Sequence, residues 1–449
     1  MIRHNQTHLP VSNISEHPVA LAPNTKLGSI DSDFYILPLP TDPDLTLTHL
    51  DIDTKDSRST SVSPIKFDIN PDFPAEEKKQ LETILNRFQS CFVEKVEDVK
   101  IMRHVPKVKL RLKSDKVIRS PPYRLAPLEL EFLKEQISKM EKAGLIRKSH
   151  SEYRNPIIVI RKTTGEYKMV QDFRKLNSIL ENEPYCGESI DMLLSNIPCG
   201  DLYFIKTDFK LAYHQVPLDN ASKKFTAFTI PNVGSFELNS LALGISSSAA
   251  SYYNTLDYII GSLKQDGGFF TYYDDVLIWS RSPQDLIDKL YRFLELVEYH
   301  NMSLSAKKCS FGYQQVQILG IETDGHKFWL PDSRLKVISE LKPPTKKTLP
   351  SLIGFLNYFR RHIPNYAHLC HPILKLAKQS EEFVWSSDQD NCLNMIKQIL
   401  LKNIPLYNFD NDLPIFIRSD ASHTGAGAYL FNKKPGEKFE RIMEFYSKT

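Results

Sequence analysis

Residues 269–280 read F-F-T-Y-Y-D-D-V-L-I-W-S, an apolar, aromatic-rich run interrupted by two adjacent acids, Asp274 and Asp275. This pattern predicts two strands joined by a tight turn at Tyr273-Asp274-Asp275. The two carboxylates then sit at a hairpin tip, beside apolar strands where unbalanced charge is costly. Taken alone, the pair fits an Asp-rich turn facing solvent at least as well, since Asp is common in turns. A second acid upstream shifts the balance. Residues 202–208, L-Y-F-I-K-T-D, form another strand pattern that ends in a carboxylate, Asp208. Two strands delivering carboxylates to one point suit a pair of Mg²⁺ ions engaged in phosphoryl or nucleotidyl transfer.

Working outward, 449 residues are too many for one ordinary core and imply about two to four domains. A hydrophobic content of 41% and a charged content of 25% fit soluble globular protein. No apolar run reaches the roughly 20 residues that span a bilayer, and the N-terminus lacks the apolar core of a secretion signal. The expectation is an intracellular protein, cytoplasmic or nuclear, with no membrane partner. The six cysteines are scattered without a CxxC pair and read as reduced thiols. Net charge is only +3, but it is unevenly spread. Residues 1–62 hold four Lys/Arg against eight Asp/Glu, whereas residues 101–177 hold nineteen against eight. That local excess points to a polyanion-binding face, with a merely solvated basic surface as the alternative.

Residues 1–75 are rich in Pro, Ser, Thr and Asp and read as a linker, or as the tail of an upstream domain. Helical spacing follows at Leu81, Ile84, Leu85, Phe88 and Phe92, and Val105–Leu112 alternates as a strand. Pro127 opens a helix that Gly144 stops. Pro156–Ile160 and Tyr167–Phe173 read as a hairpin turning at Thr163-Thr164-Gly165. Its Arg161, Lys162 and Lys168 are suited to gripping a triphosphate. Tyr213 lies five residues beyond Asp208, where a sugar ring would sit if Asp208 holds a metal; an ordinary core aromatic is the competing reading. The small-residue run Ser246–Ser251 precedes a helix at Tyr252–Ile260, and Pro283–Glu298 is amphipathic. Lys307-Lys308-Cys309 and Gln317–Gly320 resemble strand ends. Residues 333–410 turn helical, with Leu352, Phe355, Leu356 and Phe359 on one face and basic surface at Arg360, Arg361, His362, Lys375 and Lys378. Ile415–Ala428 reads as strand, Asp420, glycine turn, strand. Neither a phosphate-binding G-x-x-x-x-G-K-[ST] loop nor a dinucleotide G-x-G-x-x-G appears.

Six stretches in order resemble the polymerase region of a gypsy-type LTR-retrotransposon Pol polyprotein. They are E-K-A-G-L-I-R (141–147), K-M-V-Q-D-F-R-K-L-N (168–177) and T-D-F-K-L-A-Y-H-Q (207–215), followed by Y-Y-D-D (272–275), G-F-L-N-Y-F-R-R (354–361) and S-D-A-S (419–422). Together they cover the chain from about residue 76 to its end. The resemblance implies an α+β, right-hand polymerase of fingers, palm and thumb, followed by a connection and a truncated RNase H-like α/β domain. Implied bounds are 76–330 for fingers and palm, 331–410 for thumb and connection helices, and 411–449 for the RNase H-like part.

The implied activity is that of a reverse transcriptase, an RNA-directed DNA polymerase working by a two-metal mechanism. Its partners would be an RNA template, a DNA or tRNA-like primer and deoxynucleoside triphosphates, with the oligomeric state left open. Asp208, Asp274 and Asp275 would hold two Mg²⁺, with Mn²⁺ as the alternative ion. Arg161, Lys162, Lys168, Tyr213 and Leu243 would contact the nucleotide, with Lys307 or Lys308 near the leaving group. Leu319 and Gly320 match the primer grip, and Asp420 is the first RNase H acid. RNase H activity is not expected, since only that first acid of the motif is matched.

The chain departs from the family in places. Leu241-Ala242-Leu243-Gly244-Ile245 stands for Met-Pro-Phe-Gly-Leu, Ser247-Ser248-Ala249-Ala250 for Asn-Ala-Pro-Ala, and Lys168 for an arginine with its bidentate fork. These departures motivate an alternative from another class, a degenerate, catalytically impaired relic that only binds nucleic acid. A DNA-templated polymerase is a third reading, disfavoured by the Y-Y-D-D context.

Overall fold

The computed structural model describes residues 65–448, apart from 163–164, 182, 184–186, 378–382 and 423–424. The 163–164 turn, Lys378 and residues 1–64 of the expected linker therefore lie outside the described residues. Residues 65–75 are not linker. Strand β1 (Asp68–Ile69) pairs in parallel with Ser310–Phe311, and the rings of Phe67, Phe92 and Phe311 meet edge to face. Too short to show periodicity, this strand is held by burial of its aromatic neighbours.

Helix α1 (Ala75–Arg87) buries Leu81 and Leu85, one turn apart, and carries Glu76 and Glu77 in its first turn, where the helix dipole favours acids. The alternating stretch Val105–Leu112 forms no strand. Val108 bridges to Leu218 and Leu112 to Leu180, so successive residues meet different neighbours and no ladder propagates. Helix α2 (Pro127–Lys142) starts on Pro127, and the Glu129 carboxylate accepts from the Ala126 amide at 2.8 Å. It ends before Gly144, at φ 68°.

Strands β2 (Ile146–Lys148), β3 (Ile157–Arg161) and β4 (Tyr167–Gln171) follow, then the short helices α3 (Arg174–Asn177) and α4 (Ile190–Ser195). Next come β5 (Tyr203–Asp208), α5 (Ala212–Gln215), α6 (Asn220–Lys223), β6 (Phe228–Ile230) and β7 (Gly234–Leu238). Strands β3 and β4 form a hairpin, while β2, β7 and β6 form a small sheet in that order. Helix α7 (Ser248–Gln265) is longer than the Tyr252–Ile260 expected from spacing. Its serine-rich start is drawn into the helix by burial, with the Ser248 hydroxyl donating to the Ala242 carbonyl at 2.8 Å.

Then come β8 (Phe269–Tyr272), β9 (Asp275–Ser280), α8 (Pro283–Tyr299) and β10 (Ser310–Tyr313). The central sheet runs β1-β10-β5-β9-β8. Alternate side chains of its middle strands enter two separate cores. Ile205, Phe269, Val276 and Ile278 pack with Leu286, Leu290, Phe293 and Leu294 of α8. Phe204, Phe270, Leu277 and Trp279 pack with Leu193 and Leu194 of α4 and with Val316, Ile318 and Ile321. Burial on both faces is why the quoted stretch is continuously apolar rather than alternating.

A four-stranded sheet follows, built from β11 (Val316–Ile318), β12 (Ile321–Thr323), β13 (Lys327–Trp329) and, after four helices, β14 (Leu406–Tyr407). The helices are α9 (Asp332–Ser339), α10 (Leu349–Tyr358), α11 (Tyr366–Lys375) and α12 (Ser387–Leu401), and they share one core. Of the residues expected on one face, Leu352, Leu356 and Phe359 are buried there and Phe355 is partly buried against them. The last unit is the antiparallel sheet β15 (Ile415–Ser422), β16 (Gly425–Asn432) and β17 (Arg441–Lys448).

Candidate active site

The register of the central sheet brings the acids together. Asp208, the last residue of β5, lies opposite Asp275, the first residue of β9, and Asp275 also faces Tyr272 across the hairpin. Asp274 falls in the two-residue turn between them. The Phe209 amide donates to the Asp274 carbonyl at 3.1 Å, which ties that turn to the end of β5. Three carboxylates therefore occupy one end of one sheet.

Two lysines balance them. Lys308 Nζ lies 3.0 and 3.1 Å from the two oxygens of Asp208. Lys206 Nζ lies 3.5 Å from Asp275 and also donates to the Gln317 carbonyl at 3.1 Å. Despite these cations, burial pushes the Asp208 carboxyl above its ordinary range, and repulsion from Asp274 and Asp275 adds to the effect. Asp275 is raised in the same way, by burial first and then by Asp274. Among the described residues, no three His, Cys, Asp or Glu side chains already close into a metal cage. The donor set nevertheless fits divalent cations: hard oxygen ligands, partly desolvated, mutually repelling and held in place by nearby ammonium groups.

The acids open onto a cleft of about 890 Å³. Lys162 and Lys168 of the β3–β4 hairpin line it, as do Tyr213, Leu243, Lys308 and Leu319. Arg161 and Gly320 are not part of its wall. Lys162 is also paired with Glu166 at 2.8 Å. Between the two lysines that sequence left open, the structure separates the roles: Lys307 turns to Glu94 at 2.9 Å, while Lys308 meets Asp208. The Tyr213 ring packs on Tyr252 with centroids 4.9 Å apart, and burial raises its hydroxyl to about 12.

Backbone strain concentrates at this cleft. Among the described residues, eight non-glycine residues have positive φ, and five of them are Asn or His, which tolerate it. The other three are Leu211 at 51°, Tyr273 at 53° and Leu319 at 53°, and all three line the cleft. Bulky residues persist in this region only where surrounding structure holds them, and such strain gathers at functional sites. Sequence reasoning passed over Lys206 and Leu211. For Lys206 the available signal was its place two residues before Asp208, on the same side of the strand.

Residues 160–323 match the family model described as reverse transcriptase (RNA-dependent DNA polymerase). This part of the chain is similar to reverse transcriptases. Residues 385–449 match the model for an RNase H-like domain found in reverse transcriptase. Over 327 residues the chain is 29% identical to the Transposon Tf2-3 polyprotein of Schizosaccharomyces pombe, covering 73% of this chain and 24% of that polyprotein. The Tf2-7 polyprotein of the same organism is 28% identical over the same length. The chain thus spans about a quarter of the length of these curated relatives.

Among solved structures, the foamy viral protease-reverse transcriptase in complex with double-stranded DNA superposes with a TM-score of 0.73 at 21% identity, over 84% of this chain and 65% of that one. The same viral protein with an RNA/DNA hybrid gives 0.69 at 20% identity, over 84% and 51%. The chain therefore has the right-hand polymerase fold with an RNase H-like domain, as the motif order implied. Asp420, the implied RNase H acid, lies within β15 opposite Gly427, in a different sheet from the polymerase acids. Among the described residues, no helix is long and apolar enough to cross a membrane.

Proposed function

We propose that this chain is an RNA-directed DNA polymerase, extending a DNA or tRNA-like primer on an RNA template by nucleotidyl transfer. The observation that carries the proposal is the register: Asp208 opposite Asp275, with Asp274 in the adjoining turn, in a cleft that Lys162 and Lys168 also line. The solved relatives held double-stranded DNA and an RNA/DNA hybrid, which supports nucleic acid as partner for this chain too.

Asp208, Asp274 and Asp275 would hold two Mg²⁺ ions, which when bound supply Lewis-acid activation of the primer hydroxyl and neutralise charge on the leaving pyrophosphate. In the proposed reaction the primer 3′-hydroxyl gives up its proton to water and its oxygen forms a bond to the α-phosphorus of the incoming triphosphate. The bond from that phosphorus to the bridging oxygen breaks, and pyrophosphate departs. Lys168, exposed on β4, and Lys162 contribute point charges that orient the triphosphate. Tyr213, fixed against Tyr252, presents a rigid ring where a ribose 2′-hydroxyl would intrude. Lys308 stabilises Asp208 in the absence of ligand and is placed to shift toward the phosphates once cations replace it.

Primer extension on an RNA template with Mg²⁺ tests the reading. Wild-type chain should extend the primer, and Asp274→Asn should lower the rate at least about 10³-fold while retaining template binding, because phosphate contacts dominate affinity. Equal loss of binding and synthesis would mean that Asp274 is structural.

A further inference from the structure

The motif G-F-L-N-Y-F-R-R (354–361) has so far been given no role, yet one of its side chains reaches the cleft wall. Strands β11 and β12 pair Ile318 with Ile321, so Leu319 and Gly320 form a two-residue turn. Both have positive φ, 53° and 78°. Glycine suits this geometry and leucine does not. The side chain of Leu319 lines the same cleft as Asp208, Asp274 and Asp275.

Two groups from two elements hold the turn by hydrogen bonds, and a third lies against it. The Tyr358 hydroxyl, at the end of α10, donates to the Leu319 carbonyl. The Lys206 ammonium, on the acid-bearing strand, donates to the Gln317 carbonyl while pairing with Asp275. The Arg334 guanidinium of α9 lies so close to Gly320 that an added Cβ would come within 2.8 Å of it. Carbonyls two residues apart are thus caught by one donor from the helical layer and one from the central sheet. A turn restrained at both points cannot tilt away from the acids without breaking one of these bonds.

We infer that Tyr358 is a positioning residue: its hydroxyl fixes the left-handed Leu319 turn, and with it the seat of the primer end relative to Asp208, Asp274 and Asp275. The inference rests on the polymerase reading above. Tyr358 touches neither the acids nor the cleft. Its ring lies in a separate cavity beside Tyr272 and packs edge to face on Phe359. The hydroxyl is therefore the part of the side chain that acts on the turn, and Tyr358→Phe removes it while keeping the ring packing.

The experiment is single-turnover incorporation on a preformed RNA–DNA primer–template, with melting of each variant measured in parallel. For Tyr358→Phe the rate at saturating nucleotide should fall about five- to tenfold, the worth of one hydrogen bond. The nucleotide concentration for half-maximal rate and the melting midpoint should stay at wild-type values. Leu319→Gly, which frees the turn directly, should also be slow, and adding Tyr358→Phe to it should slow it no further, since both act through one turn. A Tyr358→Phe rate within twofold of wild type overturns the inference. So does a drop in melting midpoint that tracks the rate, or losses that multiply in the double variant. A wild-type chain that extends no primer would instead overturn the polymerase reading, and this inference with it.

Discussion

At the scale of single residues, the most informative group is Asp208, only 7% exposed and facing two other acids. Its folded carboxyl holds a proton to higher pH than it would in the unfolded chain. Ionisation therefore costs stability as pH climbs from the ordinary carboxylate range through the raised folded value. The cost is absent below the unfolded value, near pH 3.9, and fully present above the folded one. Asp208→Asn should accordingly melt higher than wild type at pH 7, on the order of a degree or two, and this advantage should vanish near pH 3. Lys308, left without its partner, stays solvated because its side chain is 63% exposed. Mg²⁺ titrated into the wild-type chain should raise the midpoint by mass action, and should leave Asp208→Asn unmoved. Calorimetric melts across pH and Mg²⁺ check both points. An equal Mg²⁺ response in the two chains would place the ions elsewhere.

At the scale of elements, the edge of the central sheet makes a sharper test than its middle. Gly312 in β10 has φ 74°, and a Cβ there would come within 2.7 Å of the Phe73 ring, which is only 3% exposed. The Asn70 side chain also donates to the Gly312 carbonyl at 2.9 Å, so residues 70–73 clamp this strand. Gly312→Ala combines backbone strain with overpacking and should cost about 2–4 kcal/mol in chemical denaturation. Combining it with Phe73→Ala should relieve the steric part, so that the two penalties fall short of adding. Strict additivity would show that residues 65–75 do not pack on the sheet in solution.

At the scale of the whole molecule, the RNase H-like sheet is tied to the rest by charge. Arg361, at the end of the G-F-L-N-Y-F-R-R motif, pairs with Asp191 of α4 at 3.2 Å and with Glu444 of β17 at 3.3 Å. Glu440 is taken by Arg418 at 3.0 Å and Glu437 by Arg441 at 3.2 Å. All three glutamates near the end of the sequence are thus engaged by arginines, and Asp420 gains no second carboxylate from them. Two-metal hydrolysis needs several carboxylates. This chain should leave the RNA of a labelled RNA–DNA hybrid intact in Mg²⁺. Cleavage that disappears in Asp420→Asn would show that one of those glutamates leaves its arginine to complete the site.

What the sequence determined by itself is what local periodicity and composition can carry. The apolar runs around Asp208 and Asp274-Asp275 specified a strand ending in acid and a hairpin with acids at its turn, and six motifs in order specified the likeness to reverse transcriptases and the right-hand layout. Helices α1, α2 and α8 were legible because their apolar spacing and Pro or Gly boundaries are written within one segment. Tertiary structure decided the rest, because those choices depend on which distant group arrives alongside. Lys307 and Lys308 are adjacent in sequence and indistinguishable there, yet only Lys308 is turned toward Asp208. Val105–Leu112 alternates like a strand, but its neighbours are two different segments and no ladder forms. Asp68–Ile69 shows no pattern at all and becomes a strand because Phe67 and Phe73 bury themselves beside β10. The left-handed backbone of Leu211, Tyr273 and Leu319 opposes local preference outright, and only the contacts around the cleft can hold it.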